Sequence, residues 1–499
     1  MRGTLLKKKM LAAFALAFVI GTPAMLKARL KNTRAQQEIV TMEQVSKSSL
    51  GPRTNVTALG VSSSGKGKTL PSVGPLDLKF ELLFTYSELI SFGTDSPSLP
   101  MPLCFDGIDL SLMRNFSSLS RELQKISKAS DVVRSATAMS RGFYVAAILR
   151  NSCKLASHFA LEIIKLVLML GADGSKHIFV SVLESGSTDC STRVISLLKE
   201  ILDLSRVPNN IRFGLPSEQG EGTRVDHLSK LRNEVLSDLY ASEHDFDEVI
   251  YLNDVYFCAS DILRLLTHNS ADIKCGLDME LIGNTPKFYD TWVARDLTGQ
   301  PFSKDFPFVR DPVALEAIKQ RLPFQVTSCW NGLVVLKARA FAKGVRIRRS
   351  LTSDECHASE CEIICHDFAA LGFPKVLLDP NVLVSYDSKT FEALEKVSGK
   401  VERVDFNLRT VSHVPTLEGY RDRPACSLCV PLDGSKGRDP DHSKTYSFNW
   451  LSFYQERGVP IASNPRAISI HDCTDSFARS CTIPRGIRTD PVLWNASSC

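Results

Sequence analysis

With 499 residues, 43% hydrophobic and 23% charged, the chain has the composition of a globular protein. Its length suits one large domain with extensions, or two or three smaller domains. The net charge of +5 comes with no Lys/Arg stripe interleaved with aromatics, which argues against a nucleic-acid partner. The short basic run VRIRRS at 345–350 reads as a solvated edge.

Arg2 and Lys7 to Lys9 precede an apolar stretch from Met10 to Leu26, at the lower limit for a bilayer span. Two readings are open. A cleaved signal peptide would use Ala24 near its cleavage site. The preferred reading is an uncleaved signal anchor at 10–26 with a cytosolic tail at 1–9. Either places the body in the lumen of the secretory pathway. Glycosylation sequons at Asn55, Asn115 and Asn495 agree with that location. Fourteen cysteines in an oxidising compartment allow disulfides, whose pairing cannot be read from sequence. Cys426 and Cys429 have CxxC spacing without a second pair, so a disulfide or two thiols is expected rather than zinc. Cys356, Cys361 and Cys365 read as local structural cysteines.

Residues 27–75, rich in Ser, Gly, Thr and Lys, read as a flexible stem, and 76–135 as a structured extension. The body, assigned to 136–420, opens with the strand GFYVAAIL and a loop, then an apolar helix, FALEIIKLVLMLGA, ended at Gly171. The strand HIFVSVLE, the loop SGSTDCS and the helix TRVISLLKEILDL follow. Next come the strand NIRFG, a helix from Arg224 to Tyr240, and the buried strand EVIYL. This alternation predicts an α/β sheet with crossover helices. Beyond about 275 the pattern is shorter and less regular, and 421–499 reads as a weakly patterned C-terminal extension.

Several constellations can carry chemistry. EVIYL stops on Asn253-Asp254, and a carboxylate just past the carboxyl end of a strand lies where α/β sheets bind ligands. A turn or helix cap gives the same pattern. Glu184, Ser185 and Asp189 follow HIFVSVL; they suit a nucleotide-binding loop or an N-cap. Arg224 and Arg232 lie on one predicted helix, where they reach a diphosphate or remain a solvated face. Asp278 and Glu280, two apart on a strand, share one side and suit a cation or sugar hydroxyls. Trp292, near Asp290 and Arg295, suits the apolar face of a sugar or a half-buried core position. Trp330-Asn331-Gly332 precedes another strand. Glu360, Glu362 and His366 can orient an acceptor hydroxyl, complete a metal shell, or form surface ion pairs.

Taken together, FVSVLESGSTD, LSKLRNEVL, FDEVIYLNDVYF, CGLDMEL, FYDTWVARDLTGQPFS, FQVTSCWNGLVVLKARAF, SECEIICHD and DPNVLVSYD resemble the fungal capsule-associated α-1,3-mannosyltransferases. The resemblance spans about 141–387. It implies a GT-A-like, Rossmann-type nucleotide-sugar-binding sheet on a type II, single-pass membrane protein of the Golgi or another secretory-pathway membrane. It implies a GDP-mannose donor, a mannoside or oligosaccharide acceptor, and Mn2+ or Mg2+. The implied reaction is metal-dependent transfer of mannose to a 3-hydroxyl with retention of configuration. The resemblance places Glu184 and Asp189 at the guanosine-ribose end of the donor, Asn253 and Asp254 at the donor metal with Asp254 carrying the charge, and Glu360, Glu362 and His366 on the late acceptor or metal side. The residue patterns add Ser185, Arg224 and Arg232 to the donor, Asp278 with Glu360 and Glu362 as candidate catalytic groups, His366 as a candidate metal ligand, and Trp292, Arg295, Trp330 and Asn331 to the acceptor. A non-catalytic lumenal glycan-binding protein with a transferase fold, or a transferase for another sugar such as xylose, stays open as the alternative.

Overall fold

The computed structural model describes residues 142–457 apart from 172–176, 215–221, 243–245, 401–416, 418 and 433–439, together with Leu89 and Cys104. The anchor at 10–26, the stem and the three sequons lie outside the described residues. Among the described residues no helix is long and apolar enough to cross a membrane.

In chain order the elements are β1 (Gly142–Leu149), α1 (Cys153–Gly171), β2 (His177–Glu184), α2 (Ser191–Leu204), β3 (Asn209–Phe213), α3 (Arg224–Val235), α4 (Ser237–Ala241) and β4 (Glu248–Leu252). They continue with α5 (Ala259–Thr267), β5 (Ile273–Ile282), β6 (Thr285–Phe288), α6 (Pro312–Lys319), β7 (Phe324–Val326), β8 (Leu333–Lys337) and α7 (Ala338–Ala342). Then follow α8 (Glu360–Ala370), β9 (Val376–Ser385), α9 (Ser388–Lys400), β10 (Cys426–Cys429), β11 (Tyr446–Asn449) and α10 (Trp450–Glu456). The described residues form a mixed sheet in the order β3-β2-β1-β4-β8-β5-β9-β7, with β6 paired to β5. Strands β1 to β4 are mutually parallel; β8 runs against them and against β5, while β9 lies parallel to β5.

Helices cover both faces, so strand residues divide between two cores. In β1, Phe143, Val145, Ala147 and Leu149 join the core of α1, α2 and α5, whereas Tyr144 and Ala146 face that of α6, α7 and α8. Burial on both faces makes GFYVAAIL and EVIYL near-continuous apolar runs rather than alternating ones. The strand order reverses after β3, because β4 pairs with the free side of β1. A crevice therefore opens at the carboxyl ends of β1 and β4, the switch point of the sheet. The carboxyl ends of β5 and β9 and the start of β8 meet the same edge.

The helix expected over Arg224–Tyr240 is split at Leu236. The hydroxyls of Tyr144 and Ser181 both donate to the Val235 carbonyl, at 2.8 and 2.7 Å, and compete for the acceptor that helical continuation needs. VRIRRS is not a solvated edge: Ile347 is buried, Arg348 pairs with Asp367 at 2.7 Å and Glu355 at 2.9 Å, and Arg346 lies over the Tyr240 ring. The boundary expected at 420 is not a break in packing. Arg421 pairs with Asp311, Trp450 stacks on His366 at 3.9 Å, and Cys429 is disulfide-bonded to Cys356 rather than to its CxxC neighbour. Cys104–Cys258, Cys153–Cys190 and Cys275–Cys329 are also bonded, while Cys361 and Cys365 are free buried thiols.

β5 and β9 are longer than the irregular pattern beyond 275 suggested. Their register shifts between Cys275 and Leu277, so residues 379–382 bulge, which is where a strand can hold Pro380. Gly276 lies at that shift, and a Cβ there would overlap the Val382 backbone and side chain. Gly276→Ala is expected to lower unfolding stability by about 1–3 kcal/mol, read from urea denaturation midpoints.

Candidate active site

The floor of the crevice is built from the loops after β1 and β2. Asn151 adopts a left-handed φ of 51°; its amide donates to Ser187 Oγ at 2.8 Å and its Oδ1 accepts the Thr188 N–H at 2.9 Å. Asp189 accepts from the Ser191 and Cys153 amides at 2.9 and 3.0 Å, capping α2 and tying it to the start of α1 beside the Cys153–Cys190 disulfide. Glu184, buried, accepts from Ser187 N and Thr192 Oγ1 at 2.7 and 3.1 Å. Glu184 and Asp189 thus hold the loops. Ser185 is buried, and its hydroxyl has no partner among the described residues.

Asn253 and Asp254 follow β4 in this crevice. Asn253 Oδ1 accepts from Arg232 Nη1 and from Trp330 Nε1, each at 3.2 Å, and its Nδ2 donates to the Tyr386 hydroxyl at 3.0 Å. Two obligate donors on one side fix which amide atom is the oxygen. Arg232 is buried; it pairs with Glu360 Oε1 at 3.1 Å and lies over the Trp330 and Tyr251 rings at 4.6 and 5.1 Å. The neutral amide at 253 is explained by these bonds, which use it as both donor and acceptor. Asp254, in contrast, is exposed, and the desolvation of its surroundings raises its pKa. Asn253 is a brace and Asp254 is the presented group.

Along α3 the side chains are basic: Arg224 and Lys230 are exposed, and Lys230 and the exposed Arg150 of the β1 loop together depress the pKa of His227, to which burial contributes most. Exposed cations of this kind suit a diphosphate.

On the β5 side Asp278 is buried. Its Oδ1 accepts the Asp290 N–H at 3.2 Å, and Oδ2 is buried without a partner. Desolvation first, and the Asp290 charge second, hold the Asp278 carboxyl well above its usual range. Burial likewise pushes Asp290 up to about 6. Glu280, two residues on, pairs instead with Lys304 at the rim.

Other predicted site residues are placed differently from expectation. Glu360 and Glu362 open α8, fully buried, as counterions: Glu360 to Arg232, and Glu362 to Arg295 at 3.0 Å. Burial pushes Glu362 up to about 7 despite that partner. His366 is no cation ligand. It is buried, Arg423 donates to its Nδ1 at 2.8 Å, its ring stacks on Trp450, and burial with three nearby guanidinium groups depresses its pKa strongly. The four residues assigned to the acceptor are buried too. Trp292 donates to the Val430 carbonyl at 2.9 Å, Arg295 holds Glu362, Trp330 holds Asn253, and Asn331 donates to the Gly276 carbonyl at 2.7 Å. The exposed aromatics of the site are Tyr289 and Tyr386, which the sequence reading did not single out. Among the described residues no group of three or more His, Cys, Asp or Glu side chains is arranged to hold a metal.

Arg232→Ala leaves Glu360 as an unpaired buried carboxylate, so a loss of about 3–5 kcal/mol is expected in denaturant unfolding; adding Glu360→Leu should recover part of it. Asp290 binds its proton more tightly folded than unfolded, relative to an ordinary value of 3.8. Its stabilising contribution is therefore complete below about pH 4 and lost as pH rises through about 6. Asp290→Asn should flatten the fall in Tm between about pH 4 and pH 6, with at most about 3 kcal/mol at stake.

Comparison with known proteins finds similarity in sequence. Residues 142–367 match the family model described as cryptococcal mannosyltransferase 1. Alpha-1,3-mannosyltransferase CMT1 of Cryptococcus neoformans var. neoformans serotype D is 32% identical over 289 residues, which cover 52% of this chain. The match spans 61% of that relative's length. Among solved structures, the mannosyltransferase PcManGT from Pyrobaculum calidifontis in complex with GDP-Man and Mn2+ aligns with a TM-score of 0.29 and 9% identity, covering 69% of this chain and 77% of that one. Glucosyl-3-phosphoglycerate synthase from Mycobacterium tuberculosis aligns with a TM-score of 0.27 and 16% identity, covering 54% and 81%. Alignments that shallow carry no argument about this chain. The sequence matches make the chain similar, over residues 142–367, to the cryptococcal mannosyltransferase 1 family, and that stretch holds Arg232, Asn253, Asp254 and Asp278.

Proposed function

We propose that the protein is a retaining α-1,3-mannosyltransferase of GT-A type that moves mannose from GDP-mannose to the 3-hydroxyl of a mannoside. The observation that carries this reading is the presented Asp254 at the switch point, beside an Asn253 locked by Arg232, Trp330 and Tyr386. The activity named for the 32% identical relative supports the choice of sugar and linkage.

Asp254 would carry the divalent cation, Mn2+ or Mg2+. One carboxylate fits an ion that takes its other ligands from the donor diphosphate and water, and Asn253 has no free oxygen to add. When bound, the cation supplies charge neutralisation for the leaving diphosphate. The chain's own part is positional. The clamped loops after β1 and β2 hold the nucleoside end, and Arg224, Lys230 and Arg150 face the phosphates. The bond from the anomeric carbon to the phosphate oxygen breaks as the acceptor oxygen attacks the same face, and the acceptor proton passes to the departing phosphate oxygen. No buried carboxylate is needed as base, which agrees with Glu360 and Glu362 being held in ion pairs.

The four disulfides among the described residues support a lumenal location, with 10–26 as the anchor that would make this a type II membrane protein of the Golgi or a neighbouring compartment. Incubation of the purified protein with radiolabelled GDP-mannose, Mn2+ and mannobiose should give a labelled trisaccharide. Chelation should abolish transfer, and Asp254→Ala should reduce it at least about 100-fold. Asn253→Asp, which keeps the acceptor for Arg232 and Trp330, should retain more activity than Asn253→Ala. Transfer unchanged in Asp254→Ala would remove the cation assignment, and no transfer from any sugar nucleotide would favour a glycan-binding protein.

A further inference from the structure

Beside Asp254, on the β5–β9 side of the crevice, Tyr289 and Tyr386 touch. Their ring centroids are 5.0 Å apart at an interplanar angle of 49°. They are 48% and 38% exposed, and among the described residues no other two exposed large aromatics are in ring contact. Neither is loose. Tyr386 accepts from Asn253 through its hydroxyl, and the Tyr289 backbone donates to the Asp278 carbonyl at 3.0 Å and accepts from the Thr291 amide at 2.9 Å. An apolar surface kept in the open by such bonds is a binding feature, because solvent gives no reason to hold it.

Next to the pair in the fold is Asp278, whose Oδ2 is buried and has no donor among the described residues. A buried acceptor left unpaired is costly, and its natural complement is a hydroxyl donor brought by a ligand. Asp278 meets the pair through its backbone, whose carbonyl accepts the Tyr289 N–H, and after burial its carboxyl does most to raise both phenols. A flat aromatic surface beside a carboxyl oxygen matches a pyranose: the rings cover its C–H face and the carboxyl takes a hydroxyl.

We propose that Tyr289 and Tyr386, with the unpartnered oxygen of Asp278 beside them, form the subsite for the acceptor pyranoside. The assignment replaces the buried Trp292, Arg295, Trp330 and Asn331, and rests on the reading that the donor diphosphate lies over Asp254. It makes Tyr289 and Asp278 determinants of acceptor affinity and leaves the nucleotide to the other half of the crevice.

Binding of mannobiose and of GDP with Mn2+ to the full-length protein, each measured by calorimetry and by saturation-transfer NMR, tests the assignment. The expected result is that Tyr289→Ala and Asp278→Ala weaken mannobiose binding at least about tenfold while GDP affinity stays within about twofold, and that Tyr289→Phe binds as wild type. Saturation transfer should be strongest to the ring protons of one sugar. Retained GDP binding also shows that a variant is folded; should Asp278→Ala lose both ligands, the exposed Tyr289→Ala decides. Equal mannobiose affinity in wild type and Tyr289→Ala overturns the proposal, as does a wild type that binds GDP but no mannobiose. A wild type that binds mannobiose in a Tyr289-dependent way but no GDP leaves the subsite standing and removes the donor reading instead.

Discussion

The guanidinium of Arg232 is the group on which the crevice depends. A buried cation is tolerated only where its charge and its N–H donors are met together. Here Glu360 supplies the charge, Asn253 takes a hydrogen bond, and the faces of Trp330 and Tyr251 cover the ion. Those partners lie on α8, after β4, before β8 and within β4. Satisfying one side chain therefore fixes α3 against three segments far apart in sequence: the end of β4, the approach to β8, and α8. Asn253 passes the constraint outward through Trp330 and Tyr386, so the orientation of the β4 turn, and with it Asp254, follows from a buried ion pair.

The C-terminal segment extends the same logic. Its carbonyls at Leu428 and Val430 accept from Arg295 and Trp292, Arg423 and Trp450 enclose His366, and Tyr454 donates to Asp367 at 2.6 Å. Residues that looked like a catalytic cluster in α8 are thus the inner surface of a contact. Glu362 carries an ionised partner in Arg295 yet still has a raised pKa, because full burial outweighs one counterion. The carboxylates of this protein sort by environment: some are counterions, some caps, and Asp254 and Asp278 keep oxygens available.

Much of the framework was legible in the chain. The alternation of apolar strands with amphipathic helices set out β1 to β4 and their crossovers, and the abrupt polar stop after EVIYL marked the switch point. Local period and strand-end chemistry act over a few residues, so a single sequence carries them. The split of α3 from α4 was not legible, because it depends on two hydroxyls from β1 and β2 reaching one carbonyl. Nor was the integration of 421–457, whose weak patterning reflects packing through Trp450, Tyr454 and a disulfide rather than a repeated apolar face.

By itself the sequence determined the α/β class, the edge of the sheet where chemistry would occur, and Asp254 as the acid to consider. Only the tertiary structure decided which polar and aromatic groups face that edge. Trp330 and Tyr289 are equally suited to a sugar by residue type, but one is sealed beneath a guanidinium and the other stands in solvent. Exposure belongs to the packing of distant segments, and the crevice is made where five of them meet.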